Sequence, residues 1–442
     1  MSVLHGSLSL SRLDEQWLQP GVKGLPIVEP LRQGAIAVQG WNVLHGDTSY
    51  PVALLKTAAL RHNLDWMRAF CERHGALLAP HGKTTMCPQL FGAQLAGGAW
   101  GITLATSAQV KVAHRFGVRR VLLANQLVAR SDVRALLQLL RDDPDFECIV
   151  LADSLAGVAR LAEEVAAQLA DRSLARPLPV LVELGLSGKR AGCRTLEEAL
   201  TVARAIAGAP GLALAGFEGY EGLLVSDDRG ADLRAVAAFV DQLCALVLQA
   251  DDEGLFEGDA ILVSAGGSAY FDLVARGFAG LHGLTRPLRP VLRSGCYVTS
   301  DHGMYQEALA ELEVREGIAA GEGLRPALEI WSVVQSRPEP GLAILGMGKR
   351  DASHDAGLPL PLLMHRPGPG APQALPPGCT IVRMNDQHAY LQLPEGPLRE
   401  RLAVGDLVGC GISHPCTTFD RWALLLAVDD DYSVKGAFNT FF

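Results

Sequence analysis

Lys83 stands in Pro80-His81-Gly82-Lys83-Thr84, at the end of a short apolar run, Ala76–Pro80. A lysine at a strand end, with Gly82 before it and Thr84 after it, can point into a pocket shielded from water. Burial and neighbouring cations lower the pKa of such an ammonium and free the amine for Schiff-base chemistry. The residue type also fits an ordinary loop lysine that reaches solvent. Ser264-Ala265-Gly266-Gly267-Ser268 is a Gly-rich turn whose backbone N–H groups could cradle a phosphate. It lacks the Gly-Lys-Ser/Thr of a Walker loop, and a tight strand-to-helix turn would use the same glycines. Arg293-Ser294-Gly295 offers a guanidinium and a flexible backbone donor, or else a structural ion pair. His414-Pro415-Cys416 places two good zinc ligands two residues apart. In an extended segment they project to the same side. They make half of a metal site, or else a structural histidine and an inert buried thiol. His388 is a further candidate ligand or a strand histidine, while Cys193, Cys296 and Cys410 read as small apolar fillers.

The elements that must position these residues follow from hydrophobic periodicity. Strands are predicted at Ala76–Pro80, Gly101–Ala105, Arg120–Ala124, Ile149–Ala152, Val180–Leu184, Leu212–Phe217, Ala260–Ser264 and Pro290–Val298. Helical segments lie between most of them, including Ser107–Phe116, Ser131–Arg141, Ser154–Leu169, Thr195–Ala207 and Ala231–Ala250, several opened by a Ser or Thr cap. Leu54–His74 reads as one more helix. Eight strands alternating with helices fit a (βα)8 TIM-type barrel or an open doubly wound sheet. The count and the span favour the barrel. Its active site lies at the strand C-termini, which carry Lys83, Asn125, Gln126, Lys189, Arg190, Glu218, Tyr220, Glu221, Gly266, Gly267, Ser268 and Arg293.

Beyond about residue 300, Pro and Gly increase and short alternating runs appear, which predicts a second, mainly β C-terminal domain. The expected division is an N-terminal segment, 1–50, joining the β domain; a barrel, 51–300; and the β domain, 301–442. Residues 26–50 look strand-like, and Leu358–Gly378 reads as a surface loop.

A formal net charge of -9 and the absence of any Lys/Arg run argue against nucleic acid or an anionic membrane as partner. An anionic ligand would therefore need a local site. The nine cysteines are scattered, with no Cys-x-x-Cys pair, which suits a reducing, cytoplasmic setting better than a disulfide framework. The N-terminus lacks a signal-peptide core, and no stretch is long and apolar enough to span a bilayer.

Pro80-His81-Gly82-Lys83-Thr84, followed by Cys87-Pro88, resembles the cofactor-lysine motif of the D-threonine aldolase and D-serine dehydratase family. These are fold-type III pyridoxal-phosphate enzymes with an alanine-racemase-like barrel. The similarity continues in order through Ala96–Thr106, Leu122–Asn125, Arg190–Gly192, Gly219–Gly222, Gly266–Ser268 and Arg293–Gly295, and ends at His414-x-Cys416. The resemblance implies that Lys83 is the Schiff-base lysine and the α-proton base. It implies that Gly266, Gly267, Ser268, Gly295 and Cys296 hold the phosphate, that Tyr220 and Arg190 lie beside the ring, and that Arg293 faces the pyridine side. His414 and Cys416 match the family's metal pair, with Zn²⁺ or another divalent ion. The aldolase branch more often has His-x-Asp with a harder ion, and thiolate suits zinc better, which tilts the expectation toward dehydration. This chain has Thr85 and Met86 where many relatives have His and Lys, and Leu223 where many have His.

The expected activity is therefore metal-assisted dehydration of a D-3-hydroxy amino acid, such as D-serine or D-threo-3-hydroxyaspartate, to a 2-oxo acid and ammonia. The alternatives are retro-aldol cleavage of D-threonine, a non-catalytic pyridoxal-phosphate carrier and a cofactor-free zinc hydrolase. The resemblance also implies a homodimer.

Overall fold

Eight short apolar runs become eight parallel strands: β1 (Leu77–Leu78), β2 (Ile102–Leu104), β3 (Arg120–Gln126), β4 (Glu147–Ala152), β5 (Leu178–Leu184), β6 (Leu212–Gly219), β7 (Ile261–Ala265) and β8 (Leu288–Leu292). β2 and β7 are buried at every position, as expected of strands covered on both faces. Hydrogen bonding runs in the order β1-β8-β7-β6-β5-β4-β3-β2. A parallel bridge between His81 and Thr103 joins the two ends, with Thr103 N donating to Pro80 O at 2.9 Å. The strands thus form a closed (βα)8 barrel, its interior filled by Leu122, Ile149, Leu151, Leu181, Leu262 and Val291.

This computed structural model describes residues 8–169, 174, 176–226 and 228–442, and the chain divides into two units. The barrel unit comprises Met67–Lys83 and Gly97–Gly295; the other comprises the chain up to Trp66, Thr84–Ala96 and Cys296–Phe442. Among the described residues no helix is long and apolar enough to cross a membrane.

Several barrel helices begin where the sequence places a cap. Thr106 accepts a hydrogen bond from Gln109 N, and Thr195 with Glu198 forms a reciprocal capping box ahead of Leu196–Ala207. One glycine is needed for barrel closure itself. Gly216 pairs with Leu262 across β6 and β7 at φ +154°, and a Cβ there would run into the Leu262 carbonyl oxygen. Gly216→Ala is expected to lower unfolding stability by ~3 kcal/mol or more, because backbone rather than a side chain must give way. Urea unfolding followed by far-UV circular dichroism measures this; an unchanged midpoint would contradict the register.

The second unit is built on a largely antiparallel sheet. Its long central strand, Leu328–Glu339, pairs with Leu407–Gly411 on one side and Val52–Lys56 on the other, and its far half pairs with Leu342–Leu345. Leu424–Val428 lies parallel to Val52–Lys56 and antiparallel to Val434–Asn439. Trp331, Leu54, Leu426, Val43 and Ile36 pack in its core.

Four sequence expectations are corrected. Leu54–His74 is not one helix: Val52–Lys56 is a strand, because two long-range partners pair with it, and the helix is Thr57–His74. Residues 26–50 hold only the two-residue strand Leu31–Arg32, followed by 3-10 turns that bury Ile36, Val43 and Leu44. Leu358–Gly378 contains the strand Leu360–His365, which tolerates Pro361 because the register shifts there. The last barrel strand stops at Leu292, and Cys296–Val298 is a 3-10 turn. Gly295 crosses so close to His81 that a Cβ would meet the His81 carbonyl oxygen.

Candidate active site

The C-terminal ends of β1, β5, β6 and β8 gather charged side chains that are far apart in sequence. Lys83 is partly buried in the single turn Gly82–Thr84 after β1. His81, two residues earlier, anchors its backbone N–H on Arg293 O at 3.0 Å. The His81 Nδ1 atom is buried without a partner. Burial first, then the positive charges of Lys83, Arg293 and Arg190, hold the His81 pKa well below the ordinary imidazole value. Burial and the charges of three sequence-predicted site residues thus favour the neutral imidazole. The fourth, Tyr220, lies under Arg190, with the guanidinium 4.5 Å from the ring centroid. His81 sat in the cofactor-lysine motif, but the sequence assigned it no role.

Arg293 is buried and pairs with buried Glu218 at 2.5 Å, while its Nη2 donates to Gly219 O at 2.7 Å. The ion-pair reading left open by the sequence is thus present, yet Arg293 Nε remains buried and unpartnered. Burial raises the Glu218 carboxyl to about 7, against the lowering effect of Arg293, and Glu183 adds to the rise. Glu183 is raised too, chiefly by burial, although Gln126 donates to it.

A raised carboxyl favours the protonated form in the fold. Its contribution to stability is complete below the ordinary value of 4.5 and is lost as pH rises towards 7. Glu218→Gln is therefore expected to gain stability relative to wild type across that window and to hold a constant advantage above it. Urea midpoints at a series of pH values test the sign; an advantage that shrinks with rising pH would refute it.

The Gly-rich turn after β7 already holds an acidic side chain from its own chain, although burial pushes that carboxyl above its ordinary value. Gly266 N and Gly267 N donate to the buried Glu221 carboxylate at 3.1 Å and 2.6 Å. A Cβ on Gly267 would lie 2.5 Å from Glu221 Oε1, and one on Gly266 would lie 2.5 Å from Arg293 Cβ. Ser294 Oγ fixes the loop by donating to Gly267 O at 2.8 Å. Two converging backbone N–H groups, close approach permitted only by glycine and an unpartnered guanidinium nitrogen suit an anionic phosphate. Ser268 lies partly buried beside them, and Gly295 is buried under His81. The sequence placed Glu221 in the polar crown, but nothing in it signalled that this carboxylate occupies the loop.

In the other unit the His414–Cys416 segment is not extended, so the condition for the two side chains to project to the same side is not met. Pro415 is in the αR region and caps a short helix, Cys416–Phe419, because His414 and Thr418 close a turn. The two side chains still interact. The Cys416 hydrogen bond, and then Asp355, raise His414 to about 9 despite burial. His414 Nδ1 lies 2.7 Å from Asp355 Oδ2, and Thr417 Oγ1 donates to Asp355 Oδ1 at 2.7 Å. Hydrogen bonding from Cys296, and then from His414, draws the Cys416 thiol down toward the thiolate. Thr84 Oγ1 is 3.3 Å from the same sulfur.

A histidine oriented by a carboxylate beside a thiolate is a chemically suitable donor pair for a borderline-soft divalent ion. Among the described residues no ready group of three His, Cys, Asp or Glu ligands is present. Cys296, read from the sequence as a small apolar filler, is buried with its Sγ 3.6 Å from Cys416 Sγ, and that hydrogen bond, then burial, hold its thiol well above the ordinary value. His388 is exposed at a strand turn, and Cys193 and Cys410 are buried thiols pushed upward by burial, which makes them unreactive.

Comparison with known proteins matches residues 55–269 to the alanine racemase N-terminal domain and residues 327–428 to the putative serine dehydratase domain. A D-threonine aldolase of Arthrobacter sp is 25% identical over 384 residues, covering 86% of this chain and 89% of that one. A D-threo-3-hydroxyaspartate dehydratase of Delftia sp. (strain HT23) is 25% identical over 398 residues, covering 87% and 95%. The fold is also that of a cysteine-to-alanine variant of D-threo-3-hydroxyaspartate dehydratase, solved in its metal-free form. The TM-score is 0.68 at 21% identity, covering 89% of this chain and 97% of that one.

Proposed function

We propose, from the premise that this chain belongs to the family joining an alanine racemase N-terminal domain to a serine dehydratase domain, that it is a pyridoxal-phosphate lyase. The substrate is a small D-3-hydroxy amino acid, and the products are a 2-oxo acid and ammonia. The supporting observation is the Gly266–Gly267 loop, whose two backbone N–H groups converge on the Glu221 carboxyl beside the buried, unpartnered Nε of Arg293, while the positive charges of Lys83, Arg293 and Arg190 all act on His81. In a protein of net charge -9, three positive side chains acting on one buried histidine support the reading of a local site for an anionic cofactor.

Lys83 would hold the cofactor covalently. Gly266, Gly267, Ser268 and Gly295, with the backbone N–H of Cys296, would take its phosphate after Glu221 yields the loop. Tyr220 and Arg190 would flank the ring, and Arg293 would face the pyridine side. Pyridoxal phosphate, when bound, supplies an electron sink for charge developing at Cα. The Lys83 amine takes the α-proton of the substrate. Neutral His81 adds no further positive charge beside the lysine.

A divalent ion on His414 and Cys416, zinc by the thiolate's softness, would act as a Lewis acid toward the β-hydroxyl and ease its departure. Loss of water would then leave an enamine, whose hydrolysis gives the 2-oxo acid and ammonia. A D-threo-3-hydroxyaspartate dehydratase of the same fold was solved in a metal-free form, which supports metal binding in that protein.

Retro-aldol cleavage is the competing outcome, because relatives of equal identity carry aldolase names. Incubation with D-threonine, D-serine and D-threo-3-hydroxyaspartate separates the two readings. Ammonia with 2-oxo acid supports dehydration; glycine with an aldehyde replaces it by cleavage. A protein that stays colourless after addition of pyridoxal phosphate and turns over none of them would refute both.

A further inference from the structure

We propose that Cys296 is a third protein ligand of the metal, completing a His-Cys-Cys site with Cys416 and His414. The inference rests on the metal role proposed for that pair. Cys296 and Cys416 are 120 positions apart, yet their sulfurs lie 3.6 Å from each other. Both are free thiols, and the separation is far beyond the ~2.05 Å of a disulfide bond. Two thiolates on one tetrahedral zinc, each bound at about 2.3 Å, are separated by about 3.8 Å along the tetrahedron edge. The observed spacing is within a few tenths of an ångström of that edge.

The surroundings support the same assignment. Cys296 is buried in the 3-10 turn Cys296–Val298, and its sulfur faces Cys416 Sγ and Thr84 Oγ1, the latter at 3.8 Å. His414 faces Cys416 as well, and Asp355 on its Nδ1 leaves Nε2 as the ligating nitrogen. With the two sulfurs already at that spacing, ligation requires the His414 side chain to turn toward a point they share, since no group of three ligands is yet gathered among the described residues. The Cys296 thiol proton leaves to buffer as the metal–sulfur bond forms. Three protein ligands leave one tetrahedral position for a substrate oxygen, the arrangement of catalytic rather than structural zinc. A second thiolate also makes the site softer and favours zinc or cobalt over manganese or magnesium.

The experiment titrates metal-free wild type, Cys296→Ala, Cys296→Ser and Cys416→Ala with Co²⁺, followed in the near-ultraviolet. Zinc affinity is then measured by competition with a chromophoric chelator, and far-UV circular dichroism reports folding of each variant. The thiolate-to-cobalt band should fall to about half in Cys296→Ala and Cys296→Ser, and zinc affinity should fall at least ~10-fold. Full band intensity and unchanged affinity in both Cys296 variants, with loss in Cys416→Ala, would overturn the third ligand and leave the pair standing. Cobalt binding indifferent to Cys416→Ala would overturn the metal role of the pair itself.

Discussion

Replacing Lys83 by alanine is expected to remove turnover of any D-3-hydroxy amino acid by at least ~10⁴-fold, while the protein remains folded. The loss compounds two functions, covalent retention of the cofactor and removal of the α-proton. General base catalysis alone supplies about 10²–10⁴-fold, and functions that act as a unit fail together. The barrel does not depend on this side chain, which lies partly buried in a one-turn element outside the strands. Borohydride treatment of wild type loaded with pyridoxal phosphate should fix the cofactor to a peptide containing Lys83, and mass spectrometry should find none in the alanine variant. Cofactor-dependent turnover by Lys83→Ala within tenfold of wild type would remove the basis of the functional assignment.

Removing the metal pair has the next largest expected effect. His414→Ala should lower turnover by ~10²–10³-fold, equivalent to about 3–4 kcal/mol of stabilisation of the departing hydroxyl. The visible spectrum of bound cofactor should survive, because the residues proposed to hold it lie on other elements. EDTA should reduce wild type to the level of the variant and leave the variant unchanged. Asp355→Asn should sit between them, down ~10-fold or more, since Asp355 orients the ring through Nδ1 without being a proposed ligand. Equal activity of wild type with and without chelator would exclude a metal-assisted step.

The barrel was legible from residue order because most of its strands are short runs buried at nearly every position, separated by amphipathic helices of ordinary length. Such patterns are local, so β2 to β7 fall close to where periodicity puts them. The strand Val52–Lys56 was not legible. Its sequence runs into a helix without a break, and only pairing with Leu328–Trp331 and Leu426–Val428 makes it extended. Pro361 misled in the opposite direction, since a register shift absorbs the proline within a genuine strand.

The sequence by itself determined the identity and order of the chemical groups: a lysine after the first barrel strand, a Gly-Gly turn after the seventh, an arginine after the eighth and a late His-x-Cys. Tertiary structure decided what each group faces. It set Glu221 on the Gly266–Gly267 loop across 46 positions, paired Glu218 with Arg293, left His81 neutral among cations, and brought Cys296 to Cys416. Hydrophobic periodicity specifies which face of an element is buried and carries no information about which distant segment covers it. Electrostatic and ligand partners depend on that second choice, so they become visible only when the chain has closed on itself.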